Sequence, residues 1–397
     1  MRVAVIGAAG IQGMSTLVYL LEQEGVSQIV AIDILGEELK KRVSGLKDKR
    51  VVFQVVDIRN YEQMLGTLKE ADIDVIVNNA AIPGYYESMV KVALEAGSNY
   101  LDLGGPQEIP AQIAFSGEFN KRGLTGIVDM GSAPGMSNIM AAYCIHKLDS
   151  IDTVDFKWAG GVDIVSDEEH SVPLYWGYNF RGIMGLFSGP TLVYEDGKLL
   201  ELEPRALSEK YTFKDPIGRI DIHGLTHGEP RMLSRSFPDI KRITFKLGYQ
   251  PEFETKVRFL RDLGFGNLAA IDVKGQKIVP WDVLETLLRQ LPPETKKAPD
   301  FRGEGHCFAR GYKDGQKMQY HIAFRESEEL LNRYKNKGCH GLFRAGIFIA
   351  VAAVMLGRGQ VEAKGIFHPE IAIPADLYLA EVAKAGFEVE IEKKVVL

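Results

Sequence analysis

The sequence predicts an α/β protein: a doubly wound parallel sheet, followed by an α+β domain built on a mostly antiparallel sheet. Three observations carry this. The first third alternates near-continuous Val/Ile runs with amphipathic helical patterns, the grammar of a parallel sheet buried on both faces. A glycine-spaced turn follows the first apolar run. Past SAPGMSN (132–138) hairpin signals replace the alternation.

In chain order, RVAVIG (2–7) reads as a strand, 11–24 as a helix and QIVAID (28–33) as the second strand. A charged helix at 36–47, VVFQVVDI (51–58) and a helix near 60–70 come next. DVIVNNA (74–80), a helix at 84–96, NYLDLGG (99–105) and TGIVDMG (125–131) complete the series. Beyond it, TVDFKWAGG (153–161) and IKRITFKLGY (240–249) read as strands. TLVYEDGKLLEL (191–202) and HCFARGYKDGQKMQYHIAF (306–324) read as hairpins turning at Asp196-Gly197 and Asp314-Gly315. Residues 251–265 and 280–291 read as helices, and LPPETKKAPDF (291–301) as a loop. GLFRAGIFIAVAAVML (341–356) is a buried apolar helix, too short for a membrane span. These patterns divide the chain into 1–135, a parallel-sheet domain, 136–338, an α+β domain, and 339–397, a helix and strands completing both.

A chain of 397 residues can bury ample core. Its net charge of −6 leaves no basic footprint, so nucleic acid is excluded as an expected partner. Three scattered cysteines make no disulfide framework and suit a cytoplasmic protein. Met1 runs almost directly into RVAVIG, so no signal peptide is expected. The His306-Cys307 and Cys339-His340 pairs lack the usual spacing of zinc ligands, so no metal is expected.

The glycines of GAAGIQG fall at Gly7, Gly10 and Gly13, a G-x-x-G-x-x-G variant in which Ala9 and Gln12 occupy two positions of the commoner dinucleotide template. The turn follows a strand and opens a helix, and Asp33 ends the second strand twenty residues after Gly13. That context predicts a Rossmann nucleotide site formed by Gly7, Ala9, Gly10, Ile11 and Gln12. A carboxylate at Asp33 accepts ribose hydroxyls and repels a 2′-phosphate, so NAD is expected, with NADP possible. Asp57 and Ile58 after the third strand, and Asn79, Ala80 and Ala81 after the fourth, complete the expected cofactor contacts.

VDMGSAPGMSN (128–138) resembles the link into the catalytic domain of the saccharopine dehydrogenase-like family, and within it the L-lysine 6-dehydrogenase branch. NYLDLGG, HGEPRML (227–233), LGYQPEFETKVRFLRDLGF (247–265) and the C-terminal GIFIAVAAVMLGRGQVEAKGIFHPEIAIP continue the resemblance. It implies oxidation of a C–N bond of a lysine-derived amine with hydride passing to a nicotinamide, a small amino-acid or amine substrate, and a homodimer or higher oligomer. Glutamate-forming saccharopine dehydrogenases typically carry Asp where this chain has Ala133. That departure favours L-lysine 6-dehydrogenase, with a saccharopine, opine or carboxypolyamine dehydrogenase as the alternative. A non-catalytic NAD(H) redox sensor is the rival from another class.

Amine oxidation needs a base near working pH, and a carboxylated substrate needs an arginine. Asp102 and Asp129 follow strands at the carboxyl edge of the sheet, where substrate acids are expected. In THGEPRM, His227 is the expected base, Arg231 the carboxylate clamp and Glu229 their companion. Tyr175 and Arg181 are further candidates for the substrate pocket.

Overall fold

The computed structural model describes residues 1–105, 108–163, 180–290, 301–339 and 342–396. The first part runs β1 (Arg2–Ile6), α1 (Ile11–Leu21), β2 (Gln28–Asp33), α2 (Gly36–Leu46), β3 (Val51–Val55) and α3 (Tyr61–Glu70). It continues with β4 (Val75–Asn78), α4 (Tyr86–Ala96), β5 (Asn99–Asp102), α5 (Ile109–Ile113), α6 (Ser116–Lys121) and β6 (Thr125–Ile127). Because side chains alternate along a strand, each Val/Ile run feeds two cores. Val3, Val5, Ile29, Ala31, Val75 and Val77 pack on one face, and Ala4, Ile6, Val30, Ile32 and Ile76 on the other. Both faces are buried, which is why these strands read as continuous apolar runs.

The second part contains α7 (Met136–His146), β7 (Ser150–Asp163), α8 (Phe180–Ser188), β8 (Thr191–Glu195), β9 (Lys198–Leu202), β10 (Glu209–Thr212) and β11 (Arg219–Gly224). Next come α9 (Glu229–Ser236), β12 (Arg242–Gly248), α10 (Pro251–Asp262), β13 (Ile271–Val273), β14 (Gln276–Ile278) and α11 (Pro280–Arg289). The chain then runs β15 (Phe301–Lys313), β16 (Gln316–Glu326), α12 (Glu328–Asn336), α13 (Arg344–Gly357), β17 (Gly365–Phe367), α14 (Pro369–Ala372), α15 (Ala375–Lys384) and β18 (Phe387–Val395). The expected hairpins form, with Asp196-Gly197 and Asp314-Gly315 in the left-handed region that two-residue turns require. The expected loop at 291–301 lies outside the described residues up to its last residue, Phe301, which opens β15.

The first sheet has the order β17-β6-β5-β4-β1-β2-β3, parallel throughout. The second follows β10-β11-β12-β7-β15-β16-β18, with β8 on β12 and β9 on β8. It is antiparallel except where β12 runs parallel to β7. After α12 the chain returns to both sheets: β17 extends the first and β18 the second. Between them α13 crosses α1 so closely that a Cβ on Gly346 would lie 2.1 Å from the Gln12 carbonyl oxygen. Strand order reverses between β4 and β1, the place where open α/β sheets bind ligands. No helix among the described residues is long and apolar enough to cross a membrane.

Candidate active site

Just beyond β1, Gly7 turns with φ 74° and its N–H donates to the Ile32 carbonyl at 2.9 Å. The Gly10 N–H donates to the Gly7 carbonyl at 3.0 Å. A Cβ on Gly13 would lie 2.1 Å from that same Gly7 oxygen, so the third glycine is what lets α1 press against the turn. Asp33 reaches the turn from β2: its Oδ2 accepts the Ala9 N–H at 2.9 Å and its Oδ1 the Leu35 N–H at 3.0 Å. Ala80 lies under Gly7, where a Cβ would meet its nitrogen at 2.9 Å. Asn79, at the end of β4, keeps a buried Nδ2 with no hydrogen-bond partner. A glycine turn at a helix N-terminus, an acid at the second strand end and a buried donor without an acceptor fit the needs of a dinucleotide.

Not every expected contact faces this cradle. Gln12 donates through Nε2 to the Leu342 carbonyl at 2.5 Å and accepts the Gly346 N–H at 2.7 Å, so its side-chain amide ties α1 to α13 while the residue still lines the cavity. Asp57 stands beside Asp33 at the sheet edge, but Arg59 grips its carboxylate at 2.6 Å and holds its carboxyl below the usual range. Ile58 is buried in the core.

A cavity of about 370 Å³ opens from the turn toward the second sheet. Gly10, Ile11, Gln12, Gly13, Asn79 and Ala81 form one wall, and Gly131 to Pro134 another. Opposite stand Trp158, Phe245, Leu247 and Tyr249, with His227 between and Arg344 at the start of α13. The imidazole of His227 stacks on Phe245 with centroids 3.9 Å apart and planes 7° apart. Its Nδ1 contacts Glu229 Oε2, leaving Nε2 as the ring nitrogen available to a ligand. Glu229 is fully buried, and its Oε1 accepts the Ser137 hydroxyl at 2.7 Å. Ser137 and its neighbour Asn138, which donates to Glu370 Oε2 at 2.9 Å, belong to the SAPGMSN link. That link therefore positions two acids at the N-terminal turn of α7.

Asp129 sits directly behind the cavity floor: a Cβ on Gly104, a lining residue, would fall 1.8 Å from its Oδ1. Its backbone is left-handed, with φ 60°. Burial, reinforced by the neighbouring Asp102, Glu370 and Glu229, holds its carboxyl well above the ordinary range. His368 Nδ1 lies 3.9 Å from Asp129 Oδ2, and neither atom has a hydrogen-bond partner. Burial, with Arg235 nearby, pushes the imidazole down to about 4. Asp102 acts on the backbone. Its Oδ1 accepts the N–H groups of Gly104 and Asp129 at 3.0 and 3.1 Å, and Gln112 donates to its Oδ2 at 2.6 Å. The fully buried carboxyl group thus holds the turns after β5 and β6.

The expectation for Arg231 needs correcting. α9 begins at Glu229, and residues two apart face opposite sides of a helix, so burying Glu229 leaves Arg231 exposed. The cavity's arginine is Arg344, which sequence reading missed. A lone cation opening an otherwise apolar helix was its available signal, as were His368 and Glu370 within the apolar GIFHPEIAIP. Arg181 is exposed on α8, and Tyr175 lies outside the described residues. Cys144, Cys307 and Cys339 are buried free thiols, and His340 also lies outside the described residues. Among the described residues no group of three or more His, Cys, Asp or Glu could hold a metal.

Comparison with known proteins places this architecture. Residues 3–127 match the saccharopine dehydrogenase NADP binding domain and residues 131–387 the saccharopine dehydrogenase C-terminal domain. The chain belongs to the saccharopine dehydrogenase family. It is an NAD(P)-dependent oxidoreductase. A carboxyaminopropylagmatine dehydrogenase of Synechocystis sp. is 23% identical over 396 residues, covering 97% of this chain and 96% of the relative. A carboxynorspermidine synthase of Vibrio alginolyticus is 24% identical over 375 residues, covering 90% and 87%. Among solved structures, apo saccharopine dehydrogenase (L-Glu forming) from Saccharomyces cerevisiae superposes with a TM-score of 0.71 at 15% identity, with both chains covered in full. That likeness establishes the shared fold: a parallel nucleotide-binding sheet joined to a second, largely antiparallel one.

Proposed function

We propose that this oxidoreductase cleaves or forms the C–N bond of a carboxylate-bearing amine, with carboxyalkylated polyamines as substrates and NAD as cofactor. The observation that carries the reading is the buried His227–Glu229 pair, set on the wall of the cavity that the glycine turn also lines. The substrate class draws support from the relatives, whose names specify carboxylated polyamine chemistry. The choice of NAD draws support from Asp33, an acid at the end of the second strand beside the glycine turn, whose charge would repel a 2′-phosphate.

Gly7, Gly10, Asp33 and Asn79 would hold the dinucleotide, whose nicotinamide supplies the hydride acceptor. With Nδ1 engaged by Glu229, His227 Nε2 takes a proton from the substrate ammonium and leaves a neutral amine. Hydride departs from the adjacent carbon, and the nitrogen lone pair closes a C=N bond. His227 passes that proton to solvent, and water then adds to the carbon and gives up a proton to the freed imidazole. Return of this proton to nitrogen, with loss of the hydroxyl proton as the C=O forms, breaks the C–N bond and releases an amine and a carbonyl compound. Reductive condensation is the same sequence reversed. Phe245 and Trp158 exclude bulk water from the imidazole's stacked face.

A second reading, oxidation of L-lysine at its ε-amine, is favoured by Ala133, a cavity residue where glutamate-forming enzymes of the family typically carry an acid. Absorbance at 340 nm, followed with carboxynorspermidine, L-lysine and L-saccharopine and with NAD⁺ or NADP⁺ in turn, separates these readings. The expected result is turnover with the carboxylated polyamine and a preference for NAD⁺ of at least about tenfold, the loss that one repelled charge imposes. Turnover with lysine alone would move the assignment to the second reading. Tight NADH binding without turnover of any amine would overturn both and leave a redox sensor.

A further inference from the structure

We propose that Arg344 anchors the substrate's carboxylate, an assignment that rests on the amine-dehydrogenase reading above. Arg344 is 4% exposed and lines the cavity. A buried cation is costly unless its charge and its N–H groups are both answered. Here the charge is answered by Glu326, whose Oε1 lies 2.9 Å from Arg344 Nε in an ion pair and whose own side chain is 6% exposed. The donors are not all answered: Nη1 is buried without a hydrogen-bond partner. An unpaired guanidinium N–H, buried on a residue that lines the cavity, is half of a charge-assisted hydrogen bond, and a carboxylate oxygen is its matching half.

Two features show that this placement is built. A Cβ on Gly303 would lie 1.7 Å from Arg344 Nη2, so only glycine on β15 leaves space for the guanidinium. Arg344 is also the first residue of α13, where the helix's unpaired N–H groups add positive potential for an anion. The same cavity offers Trp158, Leu247 and Tyr249 as an apolar wall for a methylene chain. Glu229, fully buried and in contact with the cavity residue His227, adds an acid beside the same cavity. An anion clamp, an apolar wall and a buried acid select a molecule with a carboxylate, methylenes and a cationic nitrogen.

The test pairs each substrate with its counterpart lacking the carboxylate: carboxynorspermidine with norspermidine, and L-lysine with cadaverine. Binding to the NADH-loaded full-length protein is measured by calorimetry, and turnover is followed at 340 nm, for the parent, Arg344→Met and Arg344→Lys. The parent should prefer the carboxylated member about 10- to 100-fold, the range of one charge-assisted hydrogen bond. Arg344→Met should lose that preference with NADH affinity within about threefold of the parent. Arg344→Lys, which keeps the charge without the fork, should retain part of the preference, and it carries the test if the methionine variant fails to fold. Preference retained in the methionine variant overturns the proposal. So does an equal loss of NADH affinity, which would assign the guanidinium to the dinucleotide. Turnover without carboxylate preference in the parent defeats this assignment alone. Carboxylate-dependent binding without turnover supports Arg344 and defeats only the dehydrogenase reading, and a parent that neither binds nor turns over any of the four overturns both.

Discussion

Glu229→Gln replaces one oxygen by an amide nitrogen in a side chain with no solvent exposure, so its effect falls on two hydrogen bonds. The parent carboxylate accepts from Ser137 Oγ at 2.7 Å and from His227 Nδ1. Glutamine has a single accepting oxygen. If that oxygen stays on Ser137, the amide N–H₂ meets Nδ1, which must become an acceptor. The ring proton then moves to Nε2, and the nitrogen offered to substrate loses its lone pair. If the oxygen stays on His227, the tautomer survives but its partner is no longer charged. The second case costs about 1.5–3 kcal/mol, or roughly 10- to 150-fold in rate if the bond matters in the transition state. Tautomer reversal costs up to about 10⁴-fold where a catalytic histidine loses its carboxylate partner. The expected kcat/KM is therefore about 10- to 10⁴-fold below the parent's, with NADH affinity and thermal midpoint close to it. Steady-state kinetics at 340 nm, fluorescence titration and melting measure the three quantities. His227→Gln should fall equally far, and the double variant no further, since the two side chains act as one unit. Glu229→Gln within about threefold of the parent, or a double variant whose losses multiply, would refute a paired base.

Two further predictions concern stability. Because His368 is pushed down to about 4 from the ordinary 6.5, the unfolded chain takes up that proton first as pH falls. The stability it contributes is complete above about pH 6.5 and is lost toward pH 4, to about 3 kcal/mol in all. Urea unfolding at pH 7 and pH 4.5 should show the parent losing about 2 kcal/mol more than His368→Asn; an equal loss would mean that Asp129 is ionised and pairs with an imidazolium. Gly13→Ala sets a Cβ 2.1 Å from the Gly7 oxygen and 2.6 Å from Ala8 Cα. It should cost about 1–3 kcal/mol of stability and weaken NADH binding at least about tenfold as the turn moves away from the phosphates; unchanged melting and titration curves would show that the turn yields freely.

Much of this protein was legible in its sequence because the relevant physics is local. The strand-turn-helix at the N-terminus declares itself through alternating burial and through glycines whose conformation or contacts exclude a side chain. Hairpin turns at Asp196-Gly197 and Asp314-Gly315 follow from two residues each. His227 and Glu229, two residues apart, could be paired by inspection, and the structure joins them.

The tertiary structure decided the rest. Hydrophobic pattern identifies a buried face but not the element that covers it, so no local signal placed β17 beside β6 across more than two hundred residues. Charge in a sequence likewise does not reveal exposure: Arg231, beside the dyad in the chain, faces solvent, while Arg344, more than a hundred residues away, enters the cavity. Asp129 was recognisable as an acid at a strand end. Its environment, though, comes from Asp102, Glu229, Glu370 and His368 on three other segments, and burial among those acids raises its carboxyl above the ordinary range.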